Sequence, residues 1–200
     1  GAPARPFQVA VTTSDDLARI AAARATSAPV RRPWLDPLPA SVPLAVLDAH
    51  PPLLGHGSTT AAGAPVVPFA LVDLPAEQRR ATAAWCAATD GHLLVVGGPG
   101  SGRSTCLRTI RASAAAAGVE VLRVPTDAEG CWDAFAAVLA RIRDPRGPRD
   151  PLLVLADDLD VAVSRLEPEH QAALLEELAA VVREGPHAGV ALAATARRAG

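Results

Sequence analysis

From residue 66 onward, short apolar runs alternate with longer segments of helical composition. The runs are VVPFALV, HLLVVGG, VEVLRVP, LLVLADD and GVALAAT. Between them lie PAEQRRATAAWCAAT, RSTCLRTIRASAAAA, DAEGCWDAFAAVLARIR and EPEHQAALLEELAAVVREG. An apolar run of this length, bounded by Gly, Pro or Asp, is short for a helix and fits a strand buried on both faces. Regular alternation of such strands with helices calls for parallel strands joined by crossover helices. The sequence therefore predicts strands near 66–72, 92–97, 119–124, 152–156 and 189–194 in a mainly parallel α/β sheet. HLLVVGG is predicted as a central strand, and the segment after Pro75 as a helix with that proline in its first turn.

The first third reads differently. RPFQVAV, residues 5–11, has strand character, and TSDDLARIAAARA is a helix for which Ser14 or Asp15 supplies the cap. Five prolines then fall between Pro29 and Pro43, a density that forbids helix and favours an extended linker. Trp34 and Leu35 inside it predict a linker packed on the core, because a Pro-rich segment has little ordering entropy to lose and Trp brings a large apolar area.

Charge and cysteine content narrow the function. All 19 basic residues are Arg, the net charge is −2, and the pI is about 6.2, which is no polyelectrolyte signature for nucleic acid. Cys86, Cys106 and Cys131 lack paired spacing and read as small buried hydrophobes of a reducing compartment. The five His are scattered, and no apolar run reaches the roughly 18 residues of a membrane span.

GGPGSGRST, residues 97–105, has nearly the form G-x-x-x-x-G-K-[ST] of a phosphate-binding loop. It stands where such a loop must, directly after a predicted strand and opening a helix. Gly97, Gly98, Pro99, Gly100, Ser101, Gly102, Arg103, Ser104 and Thr105 are the candidate nucleotide-binding residues. Backbone N–H groups and the helix N-terminus would wrap anionic oxygens, and Ser104 would offer its hydroxyl to Mg²⁺. The lysine position holds Arg103, whose planar guanidinium is not interchangeable with a compact ammonium. The bland alternative is a Gly/Ser turn that merely joins strand to helix. LLVLADD narrows the choice by ending a strand in Asp157, a candidate Mg²⁺ holder through water, and Asp158, a candidate for orienting attacking water. Helix capping by Asp158 or Asp160 is the alternative there. Thr195 is a candidate γ-phosphate sensor; Arg197 and Arg198 either reach a phosphate or form a solvated basic end.

The ordered set RPFQVAV, RPWLDPLP, FALVDLPAEQ, GHLLVVGGPGSGRST, LLVLADD and GVALAATARR resembles FtsK/SpoIIIE-type ATPases. Within them it is most similar to the EccC/EssC multi-ATPase motors of type VII secretion. Trp34, Leu35, Pro37, Leu38 and Pro39 match that family's inter-module W-L-x-P-L-P. Asp73, Pro75 and Gln78 match its D-x-P-x-x-Q, and Gly91 and His92 open its G-H-L-x-V-x-G. The resemblance implies a RecA-like P-loop core binding ATP and Mg²⁺, preceded by a Pro-rich linker. It divides the chain into residues 1–30 trailing from an upstream module, a linker over 31–65, and a C-terminally incomplete ATPase module over 66–200. It further implies a second or third module, working beside other modules of one chain and in an oligomer. Such a module would sit on the cytoplasmic side of a membrane, anchored by parts outside this chain. In that family later modules are often degenerate, and the final one is implicated in docking the C-terminal helical signal of an exported protein. Arg103 and the short Asp158 carboxylate together point to weak or absent turnover. Two alternatives stay open: an active protein or DNA translocase module, and a protein-docking domain without nucleotide.

Overall fold

The computed structural model describes residues 11–24, 35–53, 65–147 and 150–198. The chain forms two compact units, residues 1–35 and 36–200. In the first, helix α1 spans Ser14–Arg24. Its cap is Thr13 rather than Ser14 or Asp15: the Asp16 N–H donates to Thr13 Oγ1 at 3.3 Å, and the Thr13 N–H donates back to Asp16 Oδ2 at 3.1 Å. This reciprocal pair satisfies two backbone donors at once, and the Thr13 hydroxyl, donating to Asp16 Oδ2 at 2.7 Å, together with the Thr13 N–H holds the Asp16 carboxyl below its usual range. The strand expected over 5–11 lies outside the described residues except for Val11, and Trp34 lies outside them too. Leu35, expected to be buried, is 39% exposed.

The second unit holds two sheets. A parallel sheet has the order β4(Leu93–Val96), β7(Val190–Ala196), β6(Leu152–Ala156), β5(Glu120–Arg123). Helices α4(Arg103–Ala116), α5(Ala128–Arg143), α6(Leu159–Ser164) and α7(Pro168–Glu184) connect its strands. Strand periodicity divides the core into two faces. Leu153 and Leu155 of β6 pack with Leu107, Ile110 and Ala114 of α4, whereas Leu152 and Val154 pack with Phe135, Val138, Leu174 and Val181 of α5 and α7. Helices on both faces of a parallel sheet are what the alternation predicts, and the architecture is that of a RecA-like P-loop core.

Two expectations fail. The segment after Pro75 is not a helix. A 3-10 turn, Pro75–Glu77, leads into strand β3(Arg79–Trp85), which pairs antiparallel with β2(Val67–Leu74), and only Ala87–Asp90 forms a short helix, α3. Gln78 closes this hairpin in the left-handed region at φ 50°. Ala and Arg favour helix in isolation, but pairing along the whole of β2 and burial of Ala81, Ala84 and Trp85 override that preference. Strand β2 therefore joins β3 and the short β1(Pro52–Leu53) in a separate sheet of order β1-β3-β2 instead of the parallel one. It docks on α4, where the Ser113 hydroxyl donates to the Pro68 carbonyl at 2.7 Å. Pro68 sits at a break in the β2–β3 register, a position that spares the ladder its missing N–H.

Strand β4 is the second departure. Among the described residues it is an edge strand, with Val96 45% exposed and Leu94 56% exposed along a groove of about 640 Å³. The strand buried on all seven residues is β7, which inserts between β4 and β6. His92 extends the β4–β7 seam by one residue. Its Nδ1 accepts from the Leu192 N–H at 2.9 Å, so Nε2 carries the proton and donates to the Val182 carbonyl at 2.9 Å. Residues 36–53, with the short helix α2(Leu44–Leu47), belong to the second unit: the Thr82 hydroxyl donates to the Leu47 carbonyl at 2.6 Å and Arg80 to that of Asp36 at 2.7 Å.

Candidate functional site

In a parallel sheet every strand delivers its C-terminal end to the same edge, where ligands bind in open α/β folds. Here β4 delivers Gly97 to Gly102, β6 delivers Asp157 and Asp158, and β7 delivers Thr195. The loop turns on glycines that only a residue without Cβ tolerates easily: Gly100 has φ 74° and Gly102 φ 90°. At Gly97 the constraint is space, since a Cβ would run into the Ser101 side chain. Helix α4 starts at Arg103 with no side-chain cap and no acidic residue in its first turn. Its first-turn N–H groups thus have no side-chain acceptor among the described residues, as an anion site requires. Ser104 and Thr105 are exposed beside them, and Thr105 Oγ1 accepts from Arg108 at 3.0 Å.

Arg103 does not point out to solvent. It is 9% exposed, and its fork grips two groups of the site itself. Nη1 donates to the Gly97 carbonyl and Nη2 to Asp158 Oδ1, each at 2.6 Å. Asp158 is held in the left-handed region at φ 49°, and its N–H donates to Thr195 Oγ1 at 2.8 Å. The fully buried Thr195 hydroxyl donates in turn to Asp157 Oδ1 at 2.7 Å. One chain of bonds therefore runs from the loop through Arg103 and Asp158 to Thr195 and Asp157. It joins four residues singled out from the sequence, and it gives Arg103 and Asp158 to each other. Asp158 does stand at the N-cap of α6, but its side chain makes no capping bond. Arg197 and Arg198 are exposed. The Arg197 N–H donates to Asp160 Oδ2 at 3.0 Å, and Arg198 lines the apolar groove along β4, apart from the loop.

The cysteines stand aside from this chemistry. Burial pushes the Cys106 and Cys131 thiols up, with the Asp127 charge adding to the effect at Cys131, so both stay protonated at neutral pH.

Comparisons with known proteins place this geometry. Residues 66–120 match the FtsK/SpoIIIE family model. That stretch runs from β2 through the hairpin, β4 and the loop to the end of α4, so the matched residues include the whole of 97–105. No curated protein matches the chain significantly. Among solved structures, EssC (ATPases 2 and 3) from Geobacillus thermodenitrificans superposes with a TM-score of 0.52 at 18% identity, over 82% of this chain and 37% of that one. Thermomonospora curvata EccC (ATPases 2 and 3), in complex with a signal sequence peptide, gives 0.54 at 18%, over 76% and 37%. The pCW3 conjugation coupling protein TcpA, in its monomer form with ATPgS, gives 0.52 at 13%, over 80% and 53%. At such identities the likeness shows the fold, and the chain spans roughly a third to a half of these structures. The chain thus resembles FtsK/SpoIIIE-type P-loop ATPases in sequence over 66–120 and in fold over most of its length. Among the described residues no helix is long and apolar enough to cross a membrane.

Sequence reading missed the Arg103–Asp158 pair and a second group, Arg108, Arg111 and Arg123, which shares a cleft with Ser104 and Asp157. The i,i+3 spacing of Arg108 and Arg111 just after the loop was the available signal for one shared helix face.

Proposed function

We propose that this chain is a nucleotide-binding module of a type VII secretion motor that holds Mg-ATP and turns it over slowly or not at all. The observation that carries the reading is the Arg103 fork, closed on the Gly97 carbonyl and Asp158. The loop, its uncapped helix and Ser104 fit a nucleotide's phosphates, with Asp157 taking part in holding Mg²⁺ through water. Mg-ATP, when bound there, would supply a phosphoanhydride, with the metal offsetting part of its charge. The chain's own groups do the rest. Backbone N–H groups of the loop and α4 receive the oxygens, and Thr195 fixes Asp157 in place. Asp158, engaged by Arg103 and one methylene shorter than a Glu, is poorly disposed to orient water; misplacement by about 1 Å costs on the order of 100-fold in rate. Nucleotide then acts by shaping the module rather than by driving it.

Support for the secretion setting comes from the likeness to EssC and EccC. On this reading the partners are other ATPase modules of the same chain, in an oligomer, and the C-terminal helical signal of an exported protein. The assembly works at the cytoplasmic side of the membrane, anchored by parts outside this chain. Regulation or recognition of exported substrate is the module's task.

Pairing Ser104→Ala with Asp157→Asn tests the site. Asn keeps an acceptor for the Thr195 hydroxyl, so the fold is preserved while both metal-side groups are weakened. The affinity for ATP of the wild type is expected to rise with Mg²⁺, and that of the double variant to be the same with and without it, by calorimetry. An undiminished Mg²⁺ dependence in the variant refutes the assignment.

A further inference from the structure

Several arginines of this chain meet carboxylates: Arg19 with Asp16, Arg79 with Glu77, Arg141 with Glu120 and Arg143 with Glu184. The cleft of about 180 Å³ between α4 and the ends of β5 and β6 departs from this. Three arginines line it, Arg108, Arg111 and Arg123, and the one acidic residue of its lining is Asp157, whose Oδ1 already accepts from Thr195. Arg108 reaches only the Thr105 hydroxyl. The Arg111 and Arg123 side chains have neither a hydrogen-bond nor an ion-pair partner among the described residues.

Their convergence follows from the fold. Arg108 and Arg111 share a face of α4, one and two turns beyond Ser104, and Arg123 ends β5 at the same sheet edge as Asp157. Like charges gathered in one narrow cleft repel, and a small anion relieves that repulsion. Guanidinium forks match the oxygens of phosphate bidentately. Leu107, Val124 and Leu155 also line the cleft, and apolar surroundings strengthen such contacts relative to open water.

We propose that this cleft is an oxyanion subsite that binds a phosphate group through Arg111 and Arg123, assisted by Arg108. It supplies next to Ser104 the positive charge that Arg103 directs at Asp158. The phosphate comes either from the end of a nucleotide held in the loop, which rests on the nucleotide reading above, or from free inorganic phosphate.

Calorimetric titration of the wild type and of Arg111→Ala/Arg123→Ala with Mg-ATP, Mg-ADP and inorganic phosphate tests it. Both residues are exposed, so the variant folds, and thermal melting checks that it does. For a terminal nucleotide phosphate, the wild type prefers Mg-ATP to Mg-ADP by about tenfold, roughly 1.4 kcal/mol. The double variant loses that preference while its affinity for Mg-ADP is kept, and inorganic phosphate competes with Mg-ATP but not with Mg-ADP. For free phosphate, the wild type binds it alongside Mg-ATP and the variant does not. Arg111→Lys/Arg123→Lys, which keeps the charge and loses the forks, falls between. A double variant with wild-type ATP preference and wild-type phosphate affinity overturns the subsite and leaves nucleotide binding standing. Arginine-dependent phosphate binding in a protein that binds no nucleotide does the reverse. No binding of either overturns both.

Discussion

Arg103→Lys is expected to tighten Mg-ATP binding by about tenfold, roughly 1.4 kcal/mol, and to leave hydrolysis undetectable. In the wild type the guanidinium is 9% exposed and bonded to Gly97 and Asp158. A nucleotide entering the loop must therefore share or displace those bonds. An ammonium is a compact point charge without the planar fork, so it cannot serve both partners in the same geometry and turns to the phosphate oxygens instead. Turnover stays absent because Asp158 remains an aspartate, one methylene short of the carboxylate that would place the attacking water. Without nucleotide the variant should lose stability, by about 1 kcal/mol, since Asp158 and the Gly97 carbonyl lose their donor. Calorimetry and phosphate release measure the two effects separately. Unchanged affinity shows that the fork does not compete with the nucleotide, and turnover restored by this single change shows that Asp158 is competent.

Phe135→Ala is expected to destabilise the second unit by about 3–5 kcal/mol, a fall in Tm on the order of 10 °C for a chain this size. Phe135 is fully buried in the α5–α7 face of the core, among aliphatic neighbours held by helices that cannot collapse into the space it leaves. Leu94→Ser provides the contrast. At 56% exposure on an edge strand it should cost no more than about 0.5 kcal/mol. Comparable losses from the two substitutions mean that the Leu94 face is covered in solution, against the placement of β4 at an edge.

How far the sequence carries differs from element to element, for physical reasons. VEVLRVP, LLVLADD and GVALAAT are adjacent parallel strands because apolar runs between amphipathic helices have no other economical burial. HLLVVGG has the same composition yet lies at the edge, since a run records how apolar a strand is and not how many neighbours it has. RRATAAW hid its strand because its residues favour helix one by one, and only the pairing with β2 and the packing on α4 decide otherwise. The loop, Asp157 and Thr195 were legible from strand ends alone, as every parallel strand points its C-terminus at one edge. What Arg103 does there was not. Its partner Asp158 lies 55 residues away, and no local pattern says whether a guanidinium will face a ligand or a neighbouring carboxylate.

The direct measurement is a titration of the wild-type protein with Mg-ATP, with phosphate release followed on the same samples. The account predicts saturable binding in the micromolar to sub-millimolar range, about 5–8 kcal/mol, with ATP recovered intact. Hydrolysis at ordinary enzymatic rates, about 1 s⁻¹ or above, would contradict it by making Arg103 a working replacement for lysine. Absence of binding at millimolar ATP contradicts it from the other side, leaving a loop of the right shape that holds no nucleotide.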